Sequence, residues 1–329
     1  MELRATVLGG GAWGCAVACL LADRGYDVLI WCRETEIADE INTTHKNSMY
    51  LAGLTLHKNI KATTDLGLAA QHANLVFEAV PVAYLRSVLQ AFKTYNQNHR
   101  WVILSKGMEQ HSFALPTQII DEVLKPVASA VLVGPTFARD LAEKQFSAAV
   151  LASTDEAFRN ELMAILPTYY FTLFPSRDTI GVQVAGAIKN VLAIAVGIAK
   201  GAGCKDNTTA YLLTMGMEEM AELLAFFGGD RATMYGLAGL GDMLLTCTGS
   251  LSKNQRAGRL LGEGKSVSDV RAELKTLPEG INTAQSLAVL MEREKIFFPI
   301  LAATQRFVAG DHSLEQFFKS VLKAPENIL

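Results

Sequence analysis

Ala5 to Trp31 read ATVLGGGAWGCAVACLLADRGYDVLIW, and the architecture of the chain follows from this stretch. Ala5–Leu8 is a short apolar run closed by glycine, the pattern of a buried strand. Gly9-Gly10-Gly11-Ala12-Trp13-Gly14 comes next, then a helix pattern from Cys15 to Arg24 that Gly25 stops, then a second strand over Asp27–Trp31. GxGxxG between a strand and a helix has a mechanical meaning. Gly9 permits the tight turn, Gly11 lets the backbone approach a pyrophosphate, and Gly14 allows close helix packing. The N–H groups at the start of the helix then face the phosphates. Taken alone, the same motif also fits a glycine-rich turn without a ligand.

The end of the second strand carries cofactor choice. NAD sites place Asp or Glu about 20 residues on, to hold the ribose 2′-hydroxyl. Here the strand ends in Trp31-Cys32-Arg33, and arginine suits a 2′-phosphate and stacks on adenine. Glu34 admits a second role, either neutralising Arg33 or taking the hydroxyl itself. The expectation is NADP(H), with NAD(H) also accepted.

Strand and helix patterns keep alternating: strands at 74–80, 101–104 and 130–133, a helix from about Val82 to Tyr95, and closing strands at 147–152 and 169–174. Ser105-Lys106-Gly107 and Gly134-Pro135-Thr136-Phe137-Ala138 each follow a strand, at the rim where open α/β sheets bind ligands. Lys106 by itself is equally a solvated surface residue. The fold class expected is α/β: a Rossmann-type, doubly wound sheet domain over 1–178 and a mostly α-helical domain over 179–329.

Thr179 to Ala199, TIGVQVAGAIKNVLAIAVGIA, opens that second domain. Its length and apolarity suit a membrane span. A mid-bilayer lysine, however, costs about 2.5–3.5 kcal/mol on insertion scales, and Lys189 and Asn190 sit near its middle. We therefore expect a core helix capped by Asp178. Ala185, Gly186, Leu192 and Ala193 share the face of Lys189, and three small side chains leave room for a ligand. A lysine snorkelling out of the core is the alternative. Further on, Asp206-Asn207-Thr208 reads as a cap, and Gly236-Leu237-Ala238-Gly239-Leu240-Gly241 as a glycine-rich loop before Asp242. Thr248–Arg259 is polar and basic, with Ser252, Lys253 and Asn254 suited to an anion or to a solvated helix start. Pro278-Glu279-Gly280 reads as a turn, with Asn282 or Thr283 capping the next helix.

Composition sets outer limits. Half of the 329 residues are hydrophobic and 19% are charged, with net charge -3. That balance supports a large core and gives no general attraction to nucleic acid or membrane. Five cysteines without a CxxC pair are cytosolic usage, so a cytoplasmic location is expected. None of the histidines pairs at metal-ligand spacing, no HExxH or GxSxG occurs, and no metal is expected.

The motifs VLGGGAWGCAVA, LSKG, VGPTFA, GAIKN, DNTTAYL, GLAGLGDMLLTCTG, SKN and LPEG occur in this order along nearly the whole chain. In these motifs the sequence resembles the bacterial-type, NAD-dependent glycerol-3-phosphate dehydrogenase family. The resemblance implies an oxidoreductase that reversibly reduces dihydroxyacetone phosphate to sn-glycerol 3-phosphate for phospholipid synthesis, cytoplasmic and commonly homodimeric. It implies Lys189 as the proton donor and acceptor with Asn190 beside it, and Lys106 in contact with substrate and cofactor. Gly134, Thr136, Asp242, Ser252, Lys253 and Asn254 match substrate positions. Ala12, Trp13, Arg33, Ala138, Lys253, Leu277 and Glu279 match cofactor positions. The sequence departs from the family at Ala12 and Thr136, where serine is usual, and at Lys253, where arginine is usual. Two other readings remain: a two-domain reductase of a carboxylate substrate, such as a β-hydroxyacid or ketopantoate reductase, and a non-catalytic NADPH-binding sensor.

Overall fold

A computed structural model describes residues 3–95, 98–275 and 278–322. The chain forms two compact units, one of residues 1–106 and 114–183, the other of 107–113 and 184–329.

The first unit holds an eight-stranded sheet in the order β3-β2-β1-β4-β5-β6-β7-β8. Its strands are β1 Arg4–Leu8, β2 Asp27–Trp31, β3 Ile60–Thr63, β4 Leu75–Glu78, β5 Arg100–Ile103, β6 Ala128–Val133, β7 Ser147–Ala152 and β8 Phe171–Ser176. All neighbours pair in parallel except β6 and β7. The helices between them are α1 Ala12–Asp23, α2 Thr35–Thr44, α3 Leu66–His72, α4 Val82–Phe92, α5 Pro116–Val123, α6 Ala138–Ala142 and α7 Glu156–Ile165. The order 3-2-1-4-5-6 is the doubly wound arrangement. It reverses direction between β1 and β4, where Leu8 pairs with both Trp31 and Glu78.

Sequence reading did not pick out β3: IKAT alternates apolar and polar residues instead of forming the continuous apolar run of its neighbours, and it pairs in parallel with β2. Gly134–Ala138 opens only a five-residue helix. The last strand runs two residues later than expected, because Phe171 is the residue in register with Ser147.

Among its described residues the second unit is helical. It continues from α8 Thr179–Gly201 into α9 Asp206–Phe226, α10 Asp242–Thr248, α11 Lys253–Gly262, α12 Val267–Leu274, α13 Glu279–Glu294, α14 Pro299–Ala309 and α15 Leu314–Val321. Asp178 caps α8 as expected, accepting from Gly181 N at 2.8 Å. Residues 181–199 of α8 are all buried in protein, so its apolarity faces a core.

Two expected caps differ. Lys205 is the N-cap of α9, and Asp206 lies in the first turn, where its charge favours the helix dipole. Helix α13 begins already at Glu279, because Pro278 fixes an entry φ of -62° suited to a helix start. Thr283 is inside that helix, its hydroxyl bonded to Glu279 O.

Helices α8 and α11 cross with their backbones in contact. A Cβ on Gly197, Gly201, Gly258 or Gly262 would collide with a carbonyl oxygen of the facing helix. Glycine is used here for close approach, and it fixes the start of α11 against α8.

Candidate active site

The glycine loop of the first unit has the geometry a dinucleotide needs. Gly9 has φ +118°, and a Cβ there would meet Ala79 O at 2.6 Å. A Cβ on Gly14 would strike Gly9 O, whereas one on Gly11 meets nothing within 4 Å. The first and third glycines are thus required by packing, and the second stands before open space. Gly11 is the N-cap of α1 without a side-chain cap bond. Ala12 and Trp13 are half-buried, and the Trp13 indole nitrogen is buried with no partner among the described residues. These residues fit a bound nicotinamide dinucleotide.

Beyond β2, Arg33 donates to Glu34 from Nε at 3.0 Å and from Nη2 at 2.5 Å. The same guanidinium lies 5.9 Å from the centre of the Tyr84 ring on α4. The two candidate residues for the adenosine end are thus bonded to each other.

At the sheet rim Lys106 is half-buried, directly after buried Ser105. The Ser105 hydroxyl donates to Glu78 at 2.6 Å, and Glu78 also accepts from Val80 N at 2.6 Å. Glu78 is fully buried and ties the ends of β4 and β5 together beside Lys106. Sequence reading missed it because it sits within the apolar run NLVFEAV. Gly134 and Thr136 form a tight turn, with Thr136 N donating to Gly134 O at 2.8 Å. A Cβ on Gly134 would meet Ala149 Cα at 2.6 Å. Half-buried Ala138 then opens α6.

The second unit brings Lys189 and Asp242 together. Lys189 is 5% exposed, with Nζ 2.5 Å from an Asp242 carboxylate oxygen and 2.8 Å from the Thr246 hydroxyl. That hydroxyl donates in turn to Asp242 O at 2.7 Å. The lysine therefore does not snorkel; it is a buried ammonium gripped by a carboxylate and a hydroxyl. The expected loop before Asp242 is a π-helical turn, Leu237–Gly241, with Gly241 N bonded to Gly236 O at 3.2 Å. Such single π-turns are frequent at functional sites. Here Asp242 starts α10 and is 1% exposed. Thr246 went unnoticed in the sequence, although its place four residues after Asp242 puts both on one helix face.

Asn190 is buried beside Lys189. Its carbonyl and the Asn254 Oδ1 both crowd Gly280, whose N–H donates to Asn254 Oδ1 at 3.0 Å. Glu279 precedes that glycine at the start of α13. Ser252 caps α11 by accepting from Gln255 N, and Lys253 is exposed in its first turn. Arg256, from the same basic segment, is turned to Glu273 at 2.9 Å. Leu277 lies outside the described residues.

Two family models match the chain: NAD-dependent glycerol-3-phosphate dehydrogenase N-terminus over residues 4–159 and the C-terminus of the same family over 178–319. The glycerol-3-phosphate dehydrogenase [NAD(P)+] of Rhodospirillum rubrum is 39% identical over 97% of this chain and 92% of its own length. The crystal structure of glycerol-3-phosphate dehydrogenase from Coxiella burnetii superimposes with TM-score 0.93, at 31% identity and 99% coverage of both chains. A ketopantoate reductase from Ralstonia eutropha shares the fold at TM-score 0.61 and 17% identity, over 97% of this chain and 99% of its own.

Proposed function

The chain belongs to the NAD-dependent glycerol-3-phosphate dehydrogenase family, and from that premise we propose that it interconverts dihydroxyacetone phosphate and sn-glycerol 3-phosphate with NAD(H) or NADP(H). The observation that carries the reading is the buried Lys189, held by Asp242 and Thr246. Reduction of a ketone needs a hydride on carbon and a proton on oxygen, and bound NAD(P)H supplies the hydride. Lys189 supplies the proton to the carbonyl oxygen and takes it back in the reverse direction. Asp242 and Thr246 orient its ammonium, which limits the conformations that a long side chain would otherwise sample.

Asn190 steadies the substrate oxygen, and Lys106 contacts both substrate and cofactor. Gly134 and Thr136 offer the substrate their turn, while Ser252, Lys253 and Asn254 receive the phosphate. Asn254 already spends its carbonyl on Gly280, so its amide hydrogens point the other way, as donors. Gly9, Gly11, Ala12, Trp13, Gly14, Arg33, Ala138, Lys253, Leu277 and Glu279 hold the cofactor. Residues 1–178 are the cofactor-binding domain and 179–329 the catalytic one. The protein works in the cytoplasm, as a homodimer, and its product feeds glycerophospholipid synthesis.

The test is NAD(P)H consumption by the full chain with dihydroxyacetone phosphate, set beside ketopantoate and other 2-oxo acids. Turnover of the phosphate substrate alone is expected. Preference for a carboxylate substrate would move the chain to the reductases whose fold it shares, and turnover of none would favour the sensor.

A further inference from the structure

The end of β2 carries two groups with opposite instructions. Arginine there attracts a 2′-phosphate, and an acid there accepts from a ribose 2′-hydroxyl. In this chain they are neighbours, and the guanidinium gives two hydrogen bonds to a single Glu34 oxygen, Oε1. We propose that Glu34 sets the choice between the two dinucleotides: by holding Arg33 it favours an unmodified ribose and penalises a 2′-phosphate. This rests on the dinucleotide reading above.

The placement is firm. Gly9 N donates to Trp31 O at 2.9 Å, and a Cβ on Gly10 would collide with Cys32 Sγ. The glycine loop and the end of β2 are therefore packed together, and residues 33 and 34 stand beside the loop. Glu34 is the N-cap of α2, yet its carboxylate makes no cap bond. Its second oxygen, Oε2, has no hydrogen bond among the described residues, which leaves it an acceptor for a ribose hydroxyl. Glu34 follows Gly14 at the roughly 20-residue interval of acids that take this role. Arg33 in turn pairs with Glu34, and its guanidinium lies 5.9 Å from the centre of the Tyr84 ring.

A 2′-phosphate must share Arg33 with a carboxylate already within ion-pair distance. An exposed pair such as this one, with Arg33 69% exposed, is too weak to exclude phosphate outright. Its effect is a bias. Removing the carboxylate charge frees the guanidinium and also removes a like charge from beside the phosphate.

The experiment is equilibrium binding of NADPH and NADH to the full chain, followed by nicotinamide fluorescence. Wild type, Glu34→Gln and Glu34→Ala are compared at low and high salt. Glu34→Gln is expected to tighten NADPH about tenfold and to weaken NADH several-fold. The NADPH gain should shrink at high salt, because screening weakens exposed charge interactions. Glu34→Ala has no amide to form new hydrogen bonds and should show the same NADPH gain. If both variants shift the two cofactors by the same factor, or shift neither, Glu34 does not set the choice. If wild type binds neither dinucleotide, the fault lies instead with the cofactor reading beneath this one.

Discussion

Replacing Lys189 by methionine separates its chemistry from its place in the core. Lys189→Met keeps most of the side-chain volume and removes the ammonium that is ion-paired with Asp242, which is 1% exposed. Breaking a buried ion pair from one side costs about 3–5 kcal/mol. Adding Asp242→Asn removes the second charge of the pair, and replacing both members of a buried pair is often close to neutral. The double variant should therefore recover most of the loss, with a coupling of about 3 kcal/mol in a double-mutant cycle.

Urea unfolding followed by two probes locates the effect. Trp13, Trp31 and Trp101 all belong to the first unit, so tryptophan fluorescence follows that unit. Far-ultraviolet circular dichroism follows the helices of both. The destabilised transition of Lys189→Met should appear by dichroism, which follows the helix that carries Lys189. Turnover should fall about 10²–10⁴-fold in both variants, while cofactor binding persists. A single variant that loses less than about 1 kcal/mol, or costs that simply add across the pair, would refute the buried coupled pair. Retention of more than about a tenth of wild-type turnover would leave Lys189 outside the proton transfer that acid–base catalysis assigns to it.

Glu219 on α9 is predicted to make stability fall with rising pH. Burial pushes its carboxyl from 4.5 up to about 7, against the pull of hydrogen bonds from Ile300 N and Leu301 N. The folded chain keeps this proton over a range where the unfolded chain has lost it. The stabilisation is complete below pH 4.5 and lost as pH rises to about 7, about 3 kcal/mol in all. Glu219→Gln does not titrate, so its Tm relative to wild type should climb between about pH 5 and pH 8; a constant difference would contradict the assignment. At the adenosine end, Arg33→Ala should raise KM for NADPH far more than for NADH, by about 1.5–3 kcal/mol for a charge-assisted contact. Equal losses would mean that Arg33 only stacks. Lys253→Ala should raise KM for dihydroxyacetone phosphate and spare the rate with dihydroxyacetone, since remote binding energy orients the carbonyl. Lys253→Arg should keep or improve activity, because guanidinium grips phosphate bidentately, and equal slowing of both substrates by Lys253→Ala would place the phosphate elsewhere.

Local sequence determined what depends on local chemistry. The strand, glycine turn and helix of residues 4–31 were legible because Gly9 must reach positive φ and Gly14 must admit close packing, demands no other residue meets. The apolar run of α8 announced a core helix, and Lys189 near its middle marked a candidate site. What local pattern leaves open is which distant groups meet. IKAT became a strand because β2 lay beside it, and Glu78 became a clamp because Ser105 arrived from another strand. Thr246 and Asp242 became the grip on Lys189 only through the π-helical turn and the fold that returns α10 to α8. The Arg33–Glu34 pair shows the boundary most closely. The sequence supplied both residues and both of their possible roles, and the three-dimensional arrangement placed two donors of Arg33 on one oxygen of Glu34. Pairing of charges depends on side-chain direction and on the surfaces packed around them, and neither is written in the order of residues.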